Sequence, residues 1–150
     1  KDRIVTGFGV SLSGIWQFAE NTSLCFQGVY GKGISNYIQD ISGSGLDLVP
    51  CATAEGKLKA IRAWGGYIGF SHNWCKALTS NIMYSYARVL DRYGMPATSY
   101  KYAQYAAANL FWDFSEYGSC AIEYVFGRRN DFNKDYGNAS RINTMIQYRF

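Results

Sequence analysis

The last twelve residues, Ala139 to Phe150, constrain the fold most. Ile142, Ile146, Tyr148 and Phe150 share one parity, with Thr144 the polar exception; Arg141, Asn143, Gln147 and Arg149 share the other, interrupted by Met145. A period of two belongs to a β-strand whose side chains point alternately to opposite faces, here one apolar and one polar. An amphipathic terminal strand ending on an aromatic, preceded by other aromatic-rich alternating stretches, predicts an antiparallel transmembrane β-barrel.

Composition removes the main rivals. With 48% apolar and 17% charged residues the chain is too greasy for disorder, and 150 residues suit one domain. Aromatics reach 17%, 13 of them Tyr and 4 Trp, against 2 Pro, which favours strands and interfacial girdles. No run approaches the roughly 18 apolar residues of a membrane helix, and mean hydropathy is -0.18. A barrel passes that test, because alternation hides its apolar face from window averages. The net charge of +4 is too mild for a dedicated nucleic-acid binder. An outer-membrane protein is exported, and Lys1-Asp2-Arg3 carries no apolar leader, so residue 1 is expected downstream of a removed segment.

Strands are expected near residues 4–18, 23–35, 61–73, 79–91, 102–114, 119–128 and 139–150. Phe8, Val10, Leu12, Trp16 and Phe18 fall on one parity of the first; the faces of the third, with Trp64, Tyr67, Ile68 and Phe70 among glycines, stay unassigned. Connections alternate short and long. The longest, residues 36–60, holds Gly43-Ser44-Gly45 and Pro50 and reads as an exposed outer loop, the alternative being one folded inward to narrow a pore. Seven is an odd count, whereas single-chain bacterial barrels are even. Either the chain is the carboxyl-terminal part of a larger barrel, or an eighth strand precedes it.

The stretches Tyr124-Val125-Phe126-Gly127-Arg128-Arg129, Asn138-Ala139-Ser140-Arg141-Ile142-Asn143 and Gln147-Tyr148-Arg149-Phe150 resemble the carboxyl end of the DcaP-like porins of Gram-negative outer membranes. The resemblance implies a bacterial outer-membrane location, contact with outer-membrane lipid, a trimeric assembly, and passive uptake of small anionic solutes such as dicarboxylates without a cofactor.

Charges that face a lumen set solute preference at short range. By parity Arg129, Arg141, Arg149, Glu123, Asn109, Asp113, Asn143 and Gln147 are the pore-lining candidates. Their bland role is to pair with one another and fill the lumen. Of Cys25, Cys51, Cys75 and Cys120, none has C-x-x-C spacing; a Cys25–Cys75 bridge between neighbouring strands and free thiols remain alternatives. Asp131, Asn133, Asp135 and Gly137 depart from a calcium loop in the place of the Gly and at the twelfth position, where Ile142 stands, and are read as turn chemistry. His72, the one histidine, lies in no recognisable nucleophile motif, so no enzyme is expected and no metal site is assigned. Two other classes compete: a filled-lumen barrel with a structural or adhesion role, and a soluble β-sandwich. The sandwich expects shorter strands, 8 to 12 residues apart.

Overall fold

The computed structural model describes residues 4–50 and 57–150. Its strands are β1 (Phe8–Ala19), β2 (Thr22–Lys32), β3 (Leu48–Pro50), β4 (Leu58–Ala60), β5 (Arg62–Cys75), β6 (Leu78–Val89), β7 (Tyr100–Asp113), β8 (Gly118–Asp131) and β9 (Tyr136–Tyr148). Seven form one antiparallel sheet in the order β1-β2-β5-β6-β7-β8-β9, and β3 pairs with β4 apart from it. The sheet is not closed, so β1 and β9 each keep one unpaired edge.

Register explains why the alternation works. Phe70 of β5 sits between Leu24 of β2 and Ile82 of β6, and Ile68 between Phe26 and Tyr84. This assigns the third sheet strand, where glycines had hidden the pattern: Trp64, Ile68 and Phe70 face one side, and Tyr67 the other. On β7 to β9 the same side carries Leu110 opposite Ile122, and Tyr124 opposite Ile142. These large apolar groups stay exposed, Ile122 by 52% and Ile142 by 67%. A water-soluble sheet would bury them; an outward face in hydrocarbon does not.

Aromatics bound this face at both ends. Trp64 and Trp74 lie ten residues apart on β5, Tyr102 and Trp112 ten apart on β7, and Phe8 and Phe18 ten apart on β1. Ten residues at about 3.3 Å, tilted by about 40°, rise about 25 Å, the height of an outer-membrane apolar band. Trp64 stacks on Tyr86 with centroids 4.9 Å apart, and Tyr86 on Tyr102 at 5.6 Å. At the other end the Trp74 indole donates to Ser80 Oγ at 2.9 Å, and His72 stands edge-on to Trp74 while bonded to Thr22 Oγ1 at 2.8 Å.

Several boundaries differ from the alternation. Residues 4–7 are not strand, and Ile4 is almost wholly exposed. The expected ten-residue loop after residue 128 shrinks to the turn 132–135, because β8 runs on to Asp131 and β9 starts at Tyr136. Lys134 takes φ 75°, and the Asp135 amide donates to Asn133 Oδ1 at 3.0 Å, so Asn and Asp shape a tight turn, not a loop.

The Cys25–Cys75 bridge is corrected. Cys25 pairs with Gly69, and Cys75 lies six positions further along β5. That is about 20 Å, beyond the roughly 7 Å a disulfide spans between Cα atoms. Cys25, Cys75 and Cys120 are free thiols. Cys51 lies outside the described residues.

The described part of the long connection between β2 and β5 folds inward, where an exposed loop was expected. Gly33, at φ 66°, turns the chain, and its amide donates to the Ile61 carbonyl at 2.8 Å. Two single-turn 3₁₀ segments follow, Ser35–Tyr37 and Gln39–Ile41. The Ser35 amide donates to Asp47 Oδ1 at 2.7 Å, and the Ile61 amide to the Asp47 carbonyl at 3.0 Å, closing the loop on itself. Ile34, Ile38, Ile41 and Leu46 then pack on the inward sides of Ala63, Ala87, Val89 and Tyr100. Glycines make the room: a Cβ on Gly65 would lie 2.9 Å from Ile38 Cγ2, and one on Gly9 3.0 Å from Ile34 Cγ2. Each buried Ile stabilises the docked loop by about 1.5–3 kcal/mol before ordering costs.

Candidate pore-lining face

The face opposite the apolar band carries the polar residues. One ladder row crosses all seven sheet strands as Gln17, Ser23, Ser71, Asn81, Asn109, Glu123 and Asn143. Every position in it is polar, which alternation places there because each residue sits between two neighbours of the outward face. Part of the row is hydrogen-bonded. Asn81 Nδ2 donates to Asn109 Oδ1 at 2.8 Å, Asn109 Nδ2 to Glu123 Oε2 at 3.4 Å, and Asn143 Nδ2 to Glu123 Oε1 at 2.8 Å. The carboxylate thus accepts from both sides and holds its neighbours' amides in one orientation.

Toward the short turns the next row carries Phe111, Ala121 and Met145, and beyond it Asp113, Ser119 and Gln147 align. Toward the long loops, Cys25, Gly69, Met83, Ala107, Val125 and Arg141 align. Arg141 is exposed and makes no ion pair among the described residues. Arg129 belongs nearer the loop, level with Gly65, Ala87 and Ala103. Its Nε bonds Asp131 Oδ1 at 2.9 Å, and its guanidinium lies 5.6 Å from the Tyr100 ring centre.

Seven of the eight pore-lining candidates therefore lie on one face: Arg129, Arg141, Glu123, Asn109, Asp113, Asn143 and Gln147. Arg149 does not, since β9 ends at Tyr148; its amide donates to the Tyr117 carbonyl at 2.8 Å, at the short-turn rim. Asn81, Gln17, Ser23 and Ser71 complete the row without having been singled out. Asn81 alternates visibly with Ile82 and Tyr84; Ser23 and Ser71 are found only through register.

The docked loop overhangs this face. Between it and the sheet lies a cavity of about 840 Å³, bordered by Tyr37, Gln39 and Asp40 from the loop and by Tyr67, Ser85 and Tyr105 from the strands. Tyr100 fastens the loop: its hydroxyl donates to the Asp40 carboxylate and contacts the Ala87 carbonyl at 3.2 Å. Burial, reinforced by the bond to Asp40, pushes the Tyr100 phenol well above the ordinary tyrosine range. At the outer end of β5, Arg62 grips Asp91 through Nη2 at 2.6 Å and Nε at 2.9 Å. Those hydrogen bonds hold the Asp91 carboxyl below the usual carboxylate range.

No protein-family model and no curated protein matches the sequence. Among solved structures, the outer membrane channel DcaP of Acinetobacter baumannii is similar, with a TM-score of 0.79 and 18% identity over 96% of this chain. The match covers 41% of that channel, so this chain spans less than half its length. The chain is all-β, its inward loop and outward apolar band set on an open antiparallel sheet, and it has the fold of part of a DcaP-like barrel, as its carboxyl-terminal motifs suggest.

Proposed function

We propose that this chain forms part of the wall of a porin-type channel in a bacterial outer membrane, through which small solutes diffuse passively. The observation that carries the reading is the unbroken polar row from Gln17 to Asn143, backed by a lipid-facing band and overhung by a docked loop. Fixed amides offer water-like partners to a passing solute and take no part in bond chemistry. The free sheet edges are unsuited to lipid, so further strands complete the wall.

A bias toward small anions such as dicarboxylates is drawn from the family resemblance and placed on Arg141, which makes no ion pair among the described residues, with Arg129 paired to Asp131. Glu123 keeps its negative charge, since Asn109 and Asn143 are neutral amides, and Asp113 adds another, so the bias is local to the level of Arg141. The family resemblance adds a trimer, which chemical crosslinking of the channel in membranes would read as a threefold ladder. The deciding experiment is bilayer conductance of the intact channel: Arg129→Glu with Arg141→Glu should reverse anion preference, with Arg141→Glu giving the larger share. Unchanged selectivity removes both residues from the conduction path.

A second reading rests on the loop core itself. If Ile34, Ile38 and their neighbours seal the lumen, the wall serves a structural or adhesion role, and the channel shows no ionic current at any voltage.

A further inference from the structure

The outward face is not uniform. Leu12, Gly28, Gly66 and Tyr86 form one row across β1, β2, β5 and β6, and the two adjacent glycines leave a trough in the apolar band. The hollow measures about 880 Å³, with Leu12, Ile68 and Tyr84 along its sides and Tyr30 and Trp64 at its loop end. A Cβ on Gly28 would meet nothing within 4 Å, so the space is open there. It lies beside Tyr86 and one row below Trp64 and Tyr102, within the hydrocarbon-facing height.

Directly above the trough the outward face turns basic. Among the described, register-paired positions of this face, the acidic and basic side chains are Lys32, Arg62, Arg88 and Arg128, all at the long-loop end. Asp91 neutralises Arg62, and Arg128 covers the Tyr136 ring at 4.4 Å. Lys32 and Arg88 make no ion pair among the described residues. The Nε of Arg88 is shut from solvent with no hydrogen-bond partner, an arrangement that costs free energy unless an acceptor approaches. Lys32 is paired with Arg62, and Arg88 stands opposite Trp64, two residues on. The two cations therefore stand on either side of β5 and one same-face row apart, about 12 Å between their backbones, a gap that two long side chains reaching toward one headgroup can close.

We propose that this face binds a phosphate-bearing, multiply acylated lipid of the outer leaflet, its phosphate on Lys32 and Arg88 and one acyl chain in the Gly28–Gly66 trough. Charge complementarity selects the occupant. A second copy of this chain would bring the same cations and no matching acids, whereas an anionic amphiphile supplies charge above and hydrocarbon below. The site faces away from the lumen, so it stands or falls independently of solute selectivity.

The test is native mass spectrometry of the intact channel in neutral detergent, titrated with a bisphosphorylated, six-chain glucosamine-disaccharide lipid. Phosphatidylcholine serves as the zwitterionic control, and the deacylated bisphosphate as the headgroup control. Lys32→Gln with Arg88→Gln should weaken lipid binding about tenfold or more. Gly28→Leu, which meets no backbone at its Cβ, should fill the trough and weaken the acylated lipid about threefold, leaving the deacylated headgroup unaffected. Equal binding of phosphatidylcholine, or unchanged affinity in the double variant, overturns the proposal. So does a Gly28→Leu channel that loses its oligomeric state but keeps its lipid, since the trough would then be a contact between copies.

Discussion

Gly65 shows how one absent side chain decides where a loop goes. Its missing Cβ leaves the space that Ile38 fills, with Ala87 Cβ 3.5 Å away on the next strand. Gly65→Val should therefore evict Ile38, destabilising the docked loop by about 1–3 kcal/mol as overpacking does. Faster proteolysis within residues 34–50, with the sheet's own protection unchanged, is the expected result. Asp91 offers a second check. Because its carboxyl is held below the ordinary range, its contribution is present above the unfolded value of about 3.9 and fades as pH falls through the lower folded one. The Asp91 side chain is only 9% exposed but its partner Arg62 is half in solvent, so screening keeps the effect local and modest. Hydrogen exchange at the Arg62 amide, which donates to Asp91 Oδ2 at 3.0 Å, should quicken on acidification beyond its intrinsic rate, and Asp91→Asn should show the same loss at neutral pH. None of this was readable from the chain alone: Gly65 looked like an interruption in a strand of uncertain facing, and its partner Ile38 lay in a stretch read as exposed loop.

At the level of elements, alternation located all seven sheet strands, most clearly β1 and β9, where Ile15, Thr144 and Met145 interrupt a largely regular pattern. It failed where small residues replace the expected polar ones, as at Gly65, Gly66 and Gly69 of β5, because register, not composition, fixes their faces. It also placed the start of β9 too late, since Asn138 and Gly137 look like turn residues until Arg128 and Arg129 pair with them. The inward loop had one faint signal, Ile34, Ile38 and Ile41, three large apolar residues at three- and four-residue spacing, with Leu46 and Val49 following. Its hold depends on Tyr100. The raised phenol means that the neutral form stabilises docking below the unfolded value of about 10, and that this contribution is lost as pH rises above it. Alkaline pH should release the loop and increase single-channel current. Tyr100→Phe should raise the current already at neutral pH, by stranding Asp40 at a cost of about 1–3 kcal/mol, and should abolish the alkaline rise. A flat conductance–pH profile in the unmutated channel would show that the loop does not restrict flow.

For the whole molecule, the two faces answer to different solvents. The pore-lining candidates were legible as a set because parity sorts them all at once; what parity could not show is that Glu123 is held by its neighbours while Arg141 is free. An exposed cation acts over a Debye length, about 10 Å at 0.1 M salt and 3 Å at 1 M. Anion preference measured as reversal potential under a salt gradient should therefore shrink as the mean concentration rises across that range; a selectivity indifferent to salt would point to size, not charge, as the filter. The unpaired margins carry a last consequence. Strand direction reverses at each step across seven strands, so β1 and β9 both head toward the short turns. Two such walls set side by side would meet with their backbones running the same way at the seam, and no number of copies cures this. Whatever seals the cylinder in fully antiparallel fashion must insert an odd complement of strands between one margin and the other.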